Sequence, residues 1–260
     1  YDENAPLDLE NCQGIKMENV SYKYEGRHQA ICDISLKIPK GKITALVGLS
    51  GCGKSTIASL LMRFFDCDSG HIYMEGQDYV SMTPEQLRKN IIMVPQTVSL
   101  FSGTIRDNLC IAYSKATDEE LWEVLDNVKL KEWVMSLSQG LDTYVGDAGD
   151  KLSGGQRQKI GIARALLSQA EYIILDEATS SVDIESEKEI WNCIEHLSLT
   201  RTLIIISHRL SSIENANCIY VLSDGKILES GNHEELIANK SLYYRLVQQQ
   251  RQLDEKGVQL

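Results

Sequence analysis

The chain has 260 residues, 43% of them hydrophobic and 24% charged, which is enough apolar content for one large globular domain or two small ones. Acidic residues outnumber basic ones by 37 to 26, and the resulting net charge of −11 argues against nucleic acid as a partner. No apolar run approaches the ~20 residues of a membrane span, no secretory leader opens the sequence, and the seven cysteines are dispersed without a C-x-x-C pair, so reduced thiols in a cytosolic compartment are expected and a zinc site is not.

Residues 1–13 are polar, carry Pro6, and read as a linker entering from elsewhere. Alternating patterns at 15–20 and 31–38 predict two strands, the second ending at Pro39-Lys40-Gly41. Tyr22 and Tyr24 lie between them, either as sheet-surface residues or as a flat platform for an adenine ring. Residues 43–47 form a short apolar run that reads as a buried strand, and 56–65 read as a helix. Between them lies Gly48-Leu49-Ser50-Gly51-Cys52-Gly53-Lys54-Ser55-Thr56, which fits the phosphate-binding pattern G-x-x-x-x-G-K-[ST]. Strand, glycine-rich turn and helix in that order turn the pattern into a site. Backbone N–H groups and the helix N-terminus cradle phosphate; Lys54 is expected to reach the β- and γ-phosphates and Ser55 to hold Mg²⁺.

Further on, residues 72–76 read as a strand and turn. Thr83 and Pro84 start a short helix as N-cap and first helical residue, and 91–94 form a buried strand ending at Pro95-Gln96. Helical spacing then dominates from 118 to about 168, with Leu121, Trp122, Leu125 and Val128 on one face. An apolar strand at 172–175 follows, with Asp176 and Glu177 at its C-terminal end, the edge where open α/β sheets bind ligands. One of these acids suits a metal and the other a water-orienting base. Residues 203–208 repeat the design with His208. Asp224-Gly225 between two apolar runs signals a hairpin, residues 232–248 read as one helix, and the polar end from 249 reads as a fraying tail.

Leu152-Ser153-Gly154-Gly155-Gln156 supplies a second glycine-rich helix start of the anion-binding kind. With the phosphate loop upstream and the Asp176-Glu177 strand downstream, this LSGGQ resembles the signature of the ATPase domain of ABC transporters. The resemblance covers about 15–248. It includes Gln96 as the Q-loop glutamine, Ser180-Ser181-Val182-Asp183 as the D-loop, Ser207-His208-Arg209 as the switch-histidine region, and Val20-Ser21-Tyr22-Lys23-Tyr24 as the adenine-stacking segment, which singles out Tyr24. Thr143-Tyr144-Val145-Gly146-Asp147-Ala148-Gly149 and residues 101–108 are similar to exporter segments, the former touching the membrane domain; Tyr144, Asp147 and Ala148 depart from the usual residues there.

The resemblance implies an α/β P-loop NTPase (RecA-like) core with an N-terminal antiparallel β subdomain and an inserted α-helical subdomain. The expected layout is a linker at 1–13 from a transmembrane domain; an ATPase domain at 14–248, with core and β subdomain at 14–96 and 167–232, helical subdomain at 97–166 and C-terminal helix at 233–248; and a tail at 249–260. It also implies two ATPase domains, identical or not, joined head to tail over ATP and Mg²⁺ and attached to a transmembrane domain in the same polypeptide, at the cytoplasmic face of a membrane. Tyr24, Ser50, Gly51, Cys52, Gly53, Lys54, Ser55, Thr56 and Asp176 are then expected to bind the nucleotide, with Ser55, Gln96 and Asp176 on the metal. Glu177, His208 and Gln96 are expected to catalyse, and Ser153, Gly154, Gly155, Gln156 and Asp183 to serve the partner's ATP. Two other functions share the motifs: a non-transport ABC-type ATPase and a regulatory ATP-binding module. Cys52 stands either as a small residue or as a thiol that makes activity modifiable, and His28, His71, His196 and His233 are expected as surface residues.

Overall fold

A computed structural model describes residues 13–26, 29–179, 182, 184–207 and 213–255. In chain order its elements are β1 (Gly14–Lys23), β2 (Gln29–Pro39), β3 (Ile43–Val47), α1 (Lys54–Leu61), β4 (Ser69–Met74), the two-residue β5 (Gln77–Asp78), α2 (Pro84–Asn90), β6 (Ile91–Val94) and α3 (Ile105–Cys110). Then come α4 (Asp118–Asn127), α5 (Lys131–Ser136), α6 (Gly154–Leu167), β7 (Tyr172–Asp176), α7 (Ile184–Ser198), β8 (Thr202–Ile206), β9 (Cys218–Ser223), β10 (Lys226–Gly231), α8 (His233–Ala238) and α9 (Leu242–Glu255).

The chain divides into two compact units, Tyr1–Arg88 with Arg201–Leu260, and Lys89–Thr200. In the first, strands in the order β2-β1-β4-β5 make the expected antiparallel sheet. Alternation in β1 sends Ile15 and Met17 inward, and an irregularity at the left-handed Asn19 (φ 49°) brings Val20 into the core as well. The core strand β3 lies parallel to both β8 and β9, and β10 folds back antiparallel on β9. Parallel strands are covered on both faces and need continuous apolar runs; β8 is buried along its whole length and β3 everywhere but at Ile43. α1 follows β3 and buries Ile57, Ala58, Leu60 and Leu61. In the second unit β6 and β7 pair in parallel, from Ile91 opposite Tyr172 to Val94 opposite Leu175. Helices α3 to α6 fall between Ile105 and Leu167, and α6 buries Ile160, Ile162, Ala163 and Ala165. Parallel strands, a glycine-rich turn feeding a helix, and the antiparallel and helical additions together make a P-loop NTPase α/β fold.

Local chemistry explains where the elements stop. Pro84 opens α2 behind a reciprocal cap: the Gln86 N–H donates to Thr83 Oγ1 at 3.2 Å and the Thr83 N–H to Gln86 Oε1 at 2.7 Å. The helix expected over 56–65 ends at Leu61, because Arg63 adopts a left-handed conformation (φ 50°) and its guanidinium is anchored on the Tyr79 and Met82 carbonyls. The single helix expected over 232–248 is two. Asn232 caps α8 in a box with Glu235, Lys240 turns left-handed (φ 51°), and Glu229 Oε1 accepts the Leu242 N–H at 2.6 Å to start α9 afresh. α9 also continues to Glu255, into the stretch expected to fray. Nearly all of the 1–13 linker, Ser180, Ser181 and the last five residues lie outside the described residues.

Candidate nucleotide site

The phosphate loop begins where β3 ends. Gly53, at φ 110°, is the N-cap of α1; it offers no side-chain oxygen to the helix amides, and no acidic residue stands in the first turn. The helix therefore presents unneutralised N–H groups, an arrangement that favours an anion. Lys54 is only 6% exposed, yet its Nζ finds three acceptors inside the loop: the Gly48 carbonyl at 2.7 Å, the Leu49 carbonyl at 3.1 Å and Cys52 Sγ at 3.7 Å. A buried ammonium needs such partners, and phosphate oxygens would offer stronger ones. Ser50, Gly51 and Ser55 are exposed, whereas Cys52 and Thr56 are buried.

Tyr24 stands just after β1, its hydroxyl 3.4 Å from Thr56 Oγ1 in α1. Its ring packs edge-to-face with Tyr22 (5.0 Å between centroids) and with Phe65 (5.7 Å), and those two stack on each other at 5.5 Å. This trio holds the ring beside the helix that carries the loop, within one unit.

In the other unit Asp176 closes β7 and Glu177 follows in a left-handed conformation, φ 49°, that non-glycine residues seldom adopt. Eighty-one residues separate Gln96 from Glu177, but the Gln96 Nε2 donates to Glu177 Oε2 at 2.7 Å. The two parts assigned to water and metal handling therefore meet. LSGGQ forms the start of α6 as expected. Ser153 is its N-cap in a capping box: the Gln156 N–H donates to Ser153 Oγ at 3.1 Å and the Ser153 N–H to Gln156 Oε1 at 2.9 Å. Gly154 and Gly155 occupy the first helical positions. Asp183 and His208 lie outside the described residues.

The two exporter-like segments come together. Thr104 and Tyr144 form an antiparallel bridge, flanked by N–H donation from Ile105 to the Thr143 carbonyl and from Val145 to that of Gly103. Ser102 Oγ and the Tyr144 hydroxyl both donate to Asp147 Oδ1, and Lys151 Nζ lies 4.9 Å from the Tyr144 ring centroid. Phe101 (64% exposed) and Tyr144 (44%) are left facing outward. Arg106 ties α3 to Asp118 and Asp142; the same bond holds the Asp118 carboxyl below the usual carboxylate range.

Sequence reading passed over several residues that shape these parts. Asn108, fully buried, takes the Phe101 N–H on its oxygen and donates to the Phe101 and Thr104 carbonyls, while Arg164 from α6 donates to Asn108 Oδ1. Gln158, also buried, donates to the Pro95 carbonyl beside Gln96 at 3.2 Å. Gly225 donates to the Cys52 carbonyl of the phosphate loop at 3.2 Å. No local pattern marks the Gln158–Pro95 and Arg164–Asn108 contacts, each made across more than 50 residues; Gly225 gave a signal as a turn, and Asn108 closes the exporter-like stretch at 101–108. Of the histidines expected at the surface, His71 is 60% exposed beside Asp78, and His233 Nδ1 lies 2.8 Å from the Tyr243 hydroxyl.

Comparison with known proteins agrees with this geometry. Residues 31–180 match the family described as ABC transporter. The chain is 46% identical over 236 residues to the ATP-dependent lipid A-core flippase of Salmonella typhimurium, covering 89% of this chain and 40% of that protein. It is 42% identical over 240 residues to the ABC-type transporter kk1G of Curvularia clavata, covering 91% and 18%. The solved structure of a bacterial Atm1-family ABC exporter with ATP bound superposes with a TM-score of 0.88 at 35% identity, over 95% of this chain and 44% of that one. The chain thus spans well under half the length of these relatives. With LSGGQ at a capped helix start and the phosphate loop closed around Lys54, the chain belongs to the ABC transporter family, as an ATPase domain of that family.

Proposed function

We propose that this chain binds MgATP, closes head to tail with a second ATPase domain, and hydrolyses the nucleotide to drive export through a transmembrane domain, at the cytoplasmic face of a membrane. The supporting observation is the phosphate loop itself: a buried lysine held by three acceptors of its own loop, at the N-terminus of a helix without a side-chain cap. Tyr24 stacks the adenine; Ser50, Gly51, Cys52, Gly53, Lys54, Ser55 and Thr56 hold the phosphates. Hydroxyl, amide and carboxylate oxygens, which Ser55, Gln96 and Asp176 carry, are the hard donors that Mg²⁺ takes, and these residues would hold it. When bound, the ion offsets phosphate charge. Glu177, kept in place by Gln96, takes the proton of the attacking water, and His208 contacts the γ-phosphate. Ser153, Gly154, Gly155, Gln156 and Asp183 cover the partner's ATP.

The linker at 1–13 and the surface carrying Phe101 and Tyr144 face the transmembrane domain in this reading, and 97–166 is the helical subdomain. No described helix is long and apolar enough to cross a membrane, so the pathway for cargo belongs to that other domain. The test is Glu177→Gln in the 260-residue chain. Turnover should fall by the roughly 10²–10⁴-fold expected of a lost general base, and dimers formed with ATP should persist in light scattering. Near-normal turnover removes Glu177 from the role.

A further inference from the structure

The hairpin β9–β10 does more than reverse the chain. Asp224 and Gly225 are both left-handed (φ 48° and 73°), as a two-residue turn of this kind requires. Such a turn needs no outside partner, yet Gly225 uses both of its backbone polar groups on other segments. Its N–H donates to the Cys52 carbonyl at 3.2 Å, and its carbonyl accepts the Cys32 N–H of β2 at 2.8 Å.

The first bond fixes the direction of a neighbouring amide. The peptide unit is planar and trans, so the Cys52 carbonyl and the Gly53 N–H point opposite ways. Holding the carbonyl on the hairpin turns the Gly53 N–H away from it. The fit has no slack. A Cβ on Gly225 would sit 2.9 Å from the Ala30 carbonyl oxygen and 3.1 Å from Ile31 Cα; one on Gly53 would meet that same oxygen at 2.9 Å and Ile31 Cγ2 at 2.8 Å. Loop, turn and β2 therefore close against one another at backbone contact.

We infer that Gly225 is a positioning residue for the phosphate loop, one that aims the Gly53 amide at a nucleotide phosphate without touching it. This rests on the phosphate-binding reading, and the first measurement isolates that reading: if the unaltered chain binds no ATP by calorimetry, the phosphate-binding reading falls, and this inference with it. Given binding, Gly225→Ala should weaken ATP about tenfold and leave adenosine affinity unchanged, because the added Cβ presses on β2 and the phosphate loop and not on Tyr24. A cleaner variant removes the donor alone. Cys218 is a native ligation junction, so a synthetic segment 218–260 carrying glycolate at position 225 replaces that one N–H by oxygen. The expected loss of ATP affinity is about 3–10-fold, the worth of one hydrogen bond, with an unaltered circular dichroism spectrum. If Gly225→Ala fails to fold, the ester variant decides. Unchanged ATP affinity in the folded ester variant, or equal weakening of ATP and adenosine, overturns the inference and leaves a turn with a structural task only.

Discussion

Cys52 is buried at 6% exposure, and the nearest charge to its sulfur is Lys54 Nζ at 3.7 Å. A thiol so placed is reachable only when the loop opens, and a nucleotide drawing Lys54 onto its phosphates would hold the loop shut. Maleimide should therefore inactivate slowly, saturating ATP should slow it further, and Cys52→Ser should remove the ATP-protected phase; an inactivation rate indifferent to ATP refutes this. Asn108 carries a different burden. It satisfies the Phe101 N–H and C=O, the Thr104 carbonyl and a guanidinium of Arg164 whose pKa burial pulls down. Asn108→Ala leaves buried polar groups without partners, and urea denaturation should show a loss of about 1–3 kcal/mol. Residues such as Lys54 were legible because a short pattern states their chemistry. Asn108 was not, since its local partners are backbone groups of the turn just before it and its side-chain partner, Arg164, lies 56 residues away.

Helix α6 shows how an element transmits a site. Its first turn is LSGGQ, and its middle lies against the segment that follows β6: Gln158 donates to Pro95, and a Cβ on Gly161 would fall 2.5 Å from Val98 Cγ2. Gly161→Ala should thus overpack this contact and cost about 1–3 kcal/mol. Adding Val98→Ala should recover part of the loss, and additive losses in the double variant would place the strain elsewhere. The start of α6 was signalled by the serine and glycines of LSGGQ, and that of α2 by Thr83-Pro84. The breaks at Arg63 and Lys240 could not. Each depends on a left-handed arginine or lysine, a conformation neither residue favours. At Arg63 it is held by contacts to Tyr79 and Met82, and after Lys240 a distant carboxylate, Glu229, restarts the helix. Periodicity reports which face is buried and is blind to such stops.

At the scale of the whole molecule, charge decides how two copies meet. Each chain carries −11, so a dimer of this chain starts from −22, and every bound ATP adds more negative charge. Exposed charges of one sign repel over distances comparable to the Debye length, which falls about threefold between ~0.03 M and ~0.3 M salt. Adhesion in the proposed dimer comes from short-range contacts of phosphate with backbone amides and Lys54, which are partly buried and less screened. Added salt should therefore tighten the ATP-dependent dimer of Glu177→Gln, measured as a lower dissociation constant in sedimentation equilibrium at fixed MgATP. Nucleotide binding to the single chain should respond less steeply to salt, because its contacts are the same partly buried ones and only one small anion meets the chain's net charge. If the dimer instead weakens with salt, complementary charge patches across the interface outweigh the net repulsion, and the join is not held by nucleotide alone.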